Sequence, residues 1–131
     1  EYARTPYAAI AALAASQAAA KDGKYDVAGG HLSWVVKNGR DEGLVQVARL
    51  RQARVLLAQE KPDEALAVLG NEAGSFSSLA EELRGDIQLA KGDRKAARSA
   101  YEKALAAAES GATNKTLLQQ KLDDLTEVNP S

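Results

Sequence analysis

Few side chains in this sequence could carry chemistry. His31 is the single histidine and cysteine is absent, so thiolate metal sites and disulfides are excluded and a histidine zinc site lacks its partners. Nucleophilic catalysis asks for a nucleophile, a base within hydrogen-bond reach and a group that orients the base. With His31 as the sole imidazole, no such set assembles. His31 stands three residues before Trp34, which on a helix puts both on one face and makes His31 a surface or interface residue. The adjacent acids Glu81 and Glu82, and Asp123 and Asp124, read as solvated helix positions and not as an acid–base pair. No catalytic residue, cofactor, metal or small-molecule substrate is expected.

The densest basic cluster is Arg49, Arg51 and Arg54, of which the last two are helix neighbours. A nucleic-acid surface would want a broader patch with interleaved aromatics, and none accompanies these arginines. Seventeen Lys and Arg against 18 Asp and Glu also leave no long-range field to attract nucleic acid or anionic lipid. Arg84-Gly85-Asp86 spells an adhesion tripeptide, but it falls in mid-helix, where Gly85 suits a close helix approach. What remains is recognition of other proteins by shape and local pairing.

The elements that would present such a surface are all helical. Ala and Leu dominate, runs of β-branched residues are nearly absent, and the turn signals Asp22-Gly23, Asn38-Gly39, Lys61-Pro62-Asp63, Gly70-Asn71, Gly92-Asp93 and Ser110-Gly111 cut the chain into short pieces. Seven helices are predicted, at 6–22, 24–38, 42–59, 62–70, 76–91, 93–110 and 113–127, in a single domain over 1–131. Thr5 before Pro6 predicts a helix start, and Ser78 with Glu81 a capping box. Leu118, Leu122 and Leu125 form an apolar stripe on the last helix, with Gln119, Lys121 and Asp124 assigned to other faces. Trp34 is expected at the joint between the second and third helices. The alanine-rich stretch from Tyr7 to Ala20 is shorter than the ~20 residues needed to span a bilayer.

Aligning the turns exposes an internal repeat. Each is followed by a small residue and, four positions later, a larger apolar one: Ala28 with Leu32, Ala65 with Leu69, Ala97 with Tyr101. In the same register the turn positions hold Gly23, Glu60 and Gly92, and the preceding small positions hold Ser16, Ala53 and Gly85. In the third unit Gly85, Gly92, Ala97, Tyr101 and Ala104 match the small, turn, small, aromatic and small positions of the roughly 34-residue tetratricopeptide repeat. The fold expected is therefore all-α and tetratricopeptide-like, three helix pairs followed by a C-terminal capping helix.

Three segments carry a closer likeness: Ala48 to Leu57, Lys61 to Leu66, and Leu83 to Asp86 with the following Gly92-Asp93 and Ala97 to Tyr101. They resemble the repeat domain of the YfgM-type ancillary subunit of the bacterial Sec translocon. The resemblance implies a periplasmic domain of an inner-membrane protein, working beside the translocation channel with a membrane-anchored chaperone of the prolyl-isomerase type. It also implies a membrane-spanning helix upstream of Glu1, which the absence of methionine from this sequence accommodates. The runner-up is a generic tetratricopeptide adaptor or self-associating scaffold.

Stacked repeats present the first helix of each pair on a concave face. The residues expected to meet a partner there are Gln17, Leu50, Arg54, Leu57, Glu82, Asp86 and Leu89. Because Glu82 and Asp86 are acidic, a clamp for a peptide's terminal carboxylate is not expected on that helix. A competing possibility is that the C-terminal helix folds back over the groove.

Overall fold

The computed structural model describes residues 6–70, 77–108 and 114–127. Seven α-helices run through them: α1 (Pro6–Lys21), α2 (Tyr25–Asn38), α3 (Glu42–Ala58), α4 (Pro62–Leu69), α5 (Ser77–Ala90), α6 (Arg94–Ala107) and α7 (Asn114–Glu127). Among the described residues there is no strand, and no helix is long and apolar enough to cross a membrane. All seven predicted helices are present, their ends displaced by a few residues at most. The Thr5 cap expected before Pro6 lies outside the described residues.

Three turns with one geometry set the repeat. Gly23, Glu60 and Gly92 have φ of 77°, 62° and 86°, the left-handed conformation that ends a helix. After each, the next amide donates five residues back: Lys24 N to Ala19 O at 2.8 Å, Lys61 N to Leu56 O at 2.9 Å, and Asp93 N to Gln88 O at 2.9 Å. These bonds satisfy carbonyls that the helix end would leave bare. The chain then re-enters helix at once, and Ala28, Ala65 and Ala97 donate back to Lys24, Lys61 and Asp93. Asp93 caps α6 by accepting from Ala96 N at 3.0 Å, and Asp41 caps α3 by accepting from Leu44 N at 3.1 Å.

The chain divides into two compact units, Glu1–Leu69 and Gly70–Ser131. In the first, Leu13 from α1, Ala28, Leu32 and Val35 from α2, and Ala48 and Val55 from α3 share a core, against whose margin Trp34, Leu44 and Val47 pack. Trp34 thus sits half-buried where α2 gives way to α3, as its spacing predicts. Ala65 and Leu69 of α4 are completely buried. In the second unit Gly85 lets α5 and α6 close up: a Cβ there would lie 2.5 Å from Cδ1 and 2.9 Å from Cζ of Tyr101. Leu118 and Leu125 of α7 join Ala97, Tyr101 and Ala104 of α6 in one cluster, so the leucine stripe does close a helical surface.

Two local expectations give way to other bonds. Ser78 is not a helix cap; it lies inside α5, and its hydroxyl donates to Ala104 O at 2.9 Å. Glu81 instead pairs with Arg84 one turn on, at 3.0 Å. A serine hydroxyl takes whichever backbone carbonyl packing offers, and here α6 supplies one across the helix pair.

Candidate functional site

The seven residues expected to meet a partner fall on α1, α3 and α5, the first helices of the three pairs, and the structure groups them within its two units. On α5, Glu82 and Asp86 are four apart and share a face. Glu82 is only 5% exposed, and a buried carboxylate demands partners. Lys121 of α7 supplies them: Nζ lies 2.9 Å from Glu82 Oε2 and 2.9 Å from Asp86 Oδ1. Asn114, also on α7, donates to Glu82 Oε1 at 3.3 Å and to Ser78 Oγ at 3.1 Å. Tyr101 of α6 donates its hydroxyl to Asp86 Oδ1 at 2.5 Å, and the ammonium stands 5.5 Å from the centre of its ring. Arg94 holds the far end of α7 through Leu125 O at 3.1 Å.

The electrostatics of this network follow from burial and pairing. Burial pushes the Tyr101 phenol well above its ordinary value, and the hydrogen bond and charge of Asp86 push the same way. For Lys121 burial works against the charged form, but Glu82 and Asp86 outweigh it and hold the ammonium above its usual range. A protonated lysine and a neutral phenol offer no nucleophile at neutral pH. The arrangement is a latch between α7 and α5. Beside it a pocket of ≈ 240 Å³ is bounded by Asp86, Leu89, Tyr101, Lys121 and Leu125, with Leu89 41% exposed at its rim.

The first unit carries the other group. Gln17 of α1 and Arg54 of α3 are exposed and border a pocket of ≈ 230 Å³, floored by Ala20, Leu32 and Val55 and shared by Arg51. Arg51 reaches the carbonyl of Leu13 at 3.4 Å. Ser16, at the small position of the repeat, is buried and turns its hydroxyl back onto Leu13 O at 2.7 Å. Leu50 is buried in the packing of α3, and Leu57 is half-buried. Of the seven residues, Gln17 and Arg54 therefore share one pocket, Asp86 and Leu89 share another, and Glu82 faces α7.

Lys121 is the participant that the pattern of the last helix missed. It is not on another face: it lies three residues after Leu118 and four before Leu125, hence on the leucine stripe itself. A charged residue within an apolar stripe was the available signal. The acidic pair Glu82 and Asp86, on an otherwise apolar face, was its counterpart.

The model of the tetratricopeptide repeat-like domain family matches residues 1–127. The chain belongs to that family. Among curated relatives, the tetratricopeptide repeat-like chain is 38% identical over 124 residues to the ancillary SecYEG translocon subunit of Neisseria gonorrhoeae, covering 92% of this chain and 59% of the relative. It is 33% identical over 102 residues to the protein of that name from Haemophilus influenzae, covering 77% and 50%. With the one from Escherichia coli it shares 30% over 124 residues, covering 94% and 60%. These are the proteins that the segments from Ala48 to Tyr101 resemble, and the chain spans at most about three fifths of their length. No solved structure matches significantly.

Proposed function

We propose that this chain is the protein-binding repeat domain of an ancillary Sec translocon subunit, held at the inner membrane on its periplasmic side. There it assists the handling of exported proteins together with a membrane-anchored chaperone of the prolyl-isomerase type, and it catalyses nothing itself. The observation that carries this reading is the likeness of 77% to 94% of the chain to three proteins that share one name. The repeat register supports it: the paired small and large residues are spent on packing, which leaves first-helix side chains such as Gln17, Arg54 and Leu89, with the part-exposed edge of the latched Asp86, to meet a partner. Both signs of charge appear among them, which favours salt-sensitive, transient contacts.

The test is site-specific photo-crosslinking in inner membranes from Gln17, Arg54 and Leu89 of the full-length protein. Adducts with translocon subunits or with the isomerase-type chaperone are expected. Adducts only with soluble cytosolic proteins would overturn the reading. A protease-coupled prolyl isomerisation assay on the purified domain should show no acceleration; a rate rising with domain concentration would remove the non-enzymatic part.

A further inference from the structure

Two helices of this chain pack back on the pair before them, and they use one face to do so. α3 lays Leu44, Val47, Ala48 and Val55 against the core of α1 and α2, with Arg51 reaching the Leu13 carbonyl. α7 lays Leu118 and Leu125 against α6, with Lys121 reaching Glu82 of α5. The two sets share a register: Lys121 stands where Arg51 does, so Leu118 corresponds to Ala48 and Leu125 to Val55. Their acceptors agree as well, since Leu13 and Glu82 each lie three residues before the small position of their helix, Ser16 or Gly85.

Counted from Ser16 and Ala53, the same face of α1 consists of Tyr7, Ile10, Ala11, Ala14 and Ala18, in the places of Leu44, Val47, Ala48, Arg51 and Val55. On α1 all five are exposed, Tyr7 by 71% and Ile10 by 53%, whereas Ala48, Val55, Leu118 and Leu125 are buried. α1 also carries no charged residue from Pro6 to Ala20, while α3 and α7 hold several. An uncharged helix that is apolar on nearly every side belongs inside a protein.

The order of packing indicates what covers it. In both observed cases the covering pair precedes the helix in the chain, and its second helix presents a small residue and a large one four positions on: Ala28 and Leu32 to α3, Ala97 and Tyr101 to α7. We infer that the face of α1 formed by Tyr7, Ile10, Ala11, Ala14 and Ala18 docks a further helix pair of the same register, supplied by the residues immediately upstream of Glu1 in the full-length protein. The relatives have the length for it, since this chain covers 59% and 60% of two of them. A second copy stacked head to tail does not fit, because α7 exposes the polar side chains Gln119, Gln120 and Asp123. With Ala14 where Arg51 and Lys121 bring a cation, the docked pair needs no acceptor there. It is held by apolar contact, and the three alanines let its helices approach closely. The inference rests on the repeat register and not on the translocon reading, so either can fail without the other.

The test compares the full-length protein with the 131-residue chain, both purified in the same detergent. With benzoylphenylalanine in place of Ile10, photolysis of the full-length protein should give a link within one polypeptide, to residues upstream of Glu1, located by mass spectrometry. Ala14→Cys should react with a charged maleimide about tenfold or more slowly in the full-length protein than in the 131-residue chain, which has no cysteine of its own. Ala106→Cys, exposed on α6, should react at one rate in both. Because Ala14 is exposed, Ala14→Arg should leave the melting curve of the 131-residue chain unchanged and lower that of the full-length protein by several degrees. Equal maleimide rates at Ala14, or melting unmoved in both proteins, overturn the inference. Links between two copies, to detergent or lipid, or to a co-purifying protein overturn it too, since each gives the face a different occupant.

Discussion

Gly85 and Tyr101 define the residue-scale fit of the third repeat. In an exposed helix Gly85→Ala would gain roughly 1 kcal/mol of propensity. Here the new methyl would overlap the Tyr101 ring, which is itself buried and tied to Asp86. Overpacking of this kind costs about 1–3 kcal/mol, so the net effect should be a loss of stability in urea denaturation. Glu60 is the converse case, a non-glycine residue at φ 62° where its repeat partners Gly23 and Gly92 have no Cβ. Left-handed backbone costs such a residue about 1–2 kcal/mol, partly offset by the freedom glycine loses on folding. Glu60→Gly should therefore raise stability by about 0.5–1 kcal/mol in the same measurement, and a loss would mean that the Glu60 side chain is used.

At the scale of elements, α7 is held by apolar burial and by a charge latch. Leu118 and Leu125 are almost fully buried, and burying a leucine is worth about 1.5–3 kcal/mol. Deleting residues 114–127 would forfeit that and leave the Glu82 carboxylate without Lys121 or Asn114. Against a typical stability of 5–15 kcal/mol, aggregation or a large drop in melting temperature is expected, and an unchanged melt would count against capping. The helices themselves were legible in the sequence because turn chemistry and the small-large spacing act locally. What α7 rests on was not, because Lys121 finds Glu82 and Asp86 across more than thirty residues, a contact that no local periodicity encodes. Ser78 misled for the same reason, since its partner Ala104 belongs to the next helix. The candidate site was legible as a set of first-helix positions, whereas which of them remain open depended on what α7 covers.

For the whole molecule, those paired groups make stability depend on pH in a definite direction. The chain is nearly neutral, with a formal charge of -1 at pH 7, so general charge repulsion does not dominate. A group contributes to the pH dependence through the difference between its folded and unfolded affinity for protons. Both Tyr101 and Lys121 bind their protons more tightly in the folded chain, Tyr101 through burial and Asp86, and Lys121 because Glu82 and Asp86 overcome its burial. Their unfolded values are about 10 and about 10.4. The stabilisation from both is thus fully present below about pH 10. It is lost as the pH rises further, because the unfolded chain then releases protons that the folded chain retains. Urea denaturation at pH 8, 9, 10 and 11 should give a stability that holds over the first two values and falls beyond pH 10. Tyr101→Phe keeps the ring but removes the titrating hydroxyl, and Lys121→Met removes the ammonium. At pH 8 Lys121→Met should cost about 1–3 kcal/mol, since it strands the buried Glu82 carboxylate. Each variant should show a shallower decline between pH 10 and 11 than the wild type. A decline of equal steepness in all three proteins would place the alkaline sensitivity elsewhere in the chain.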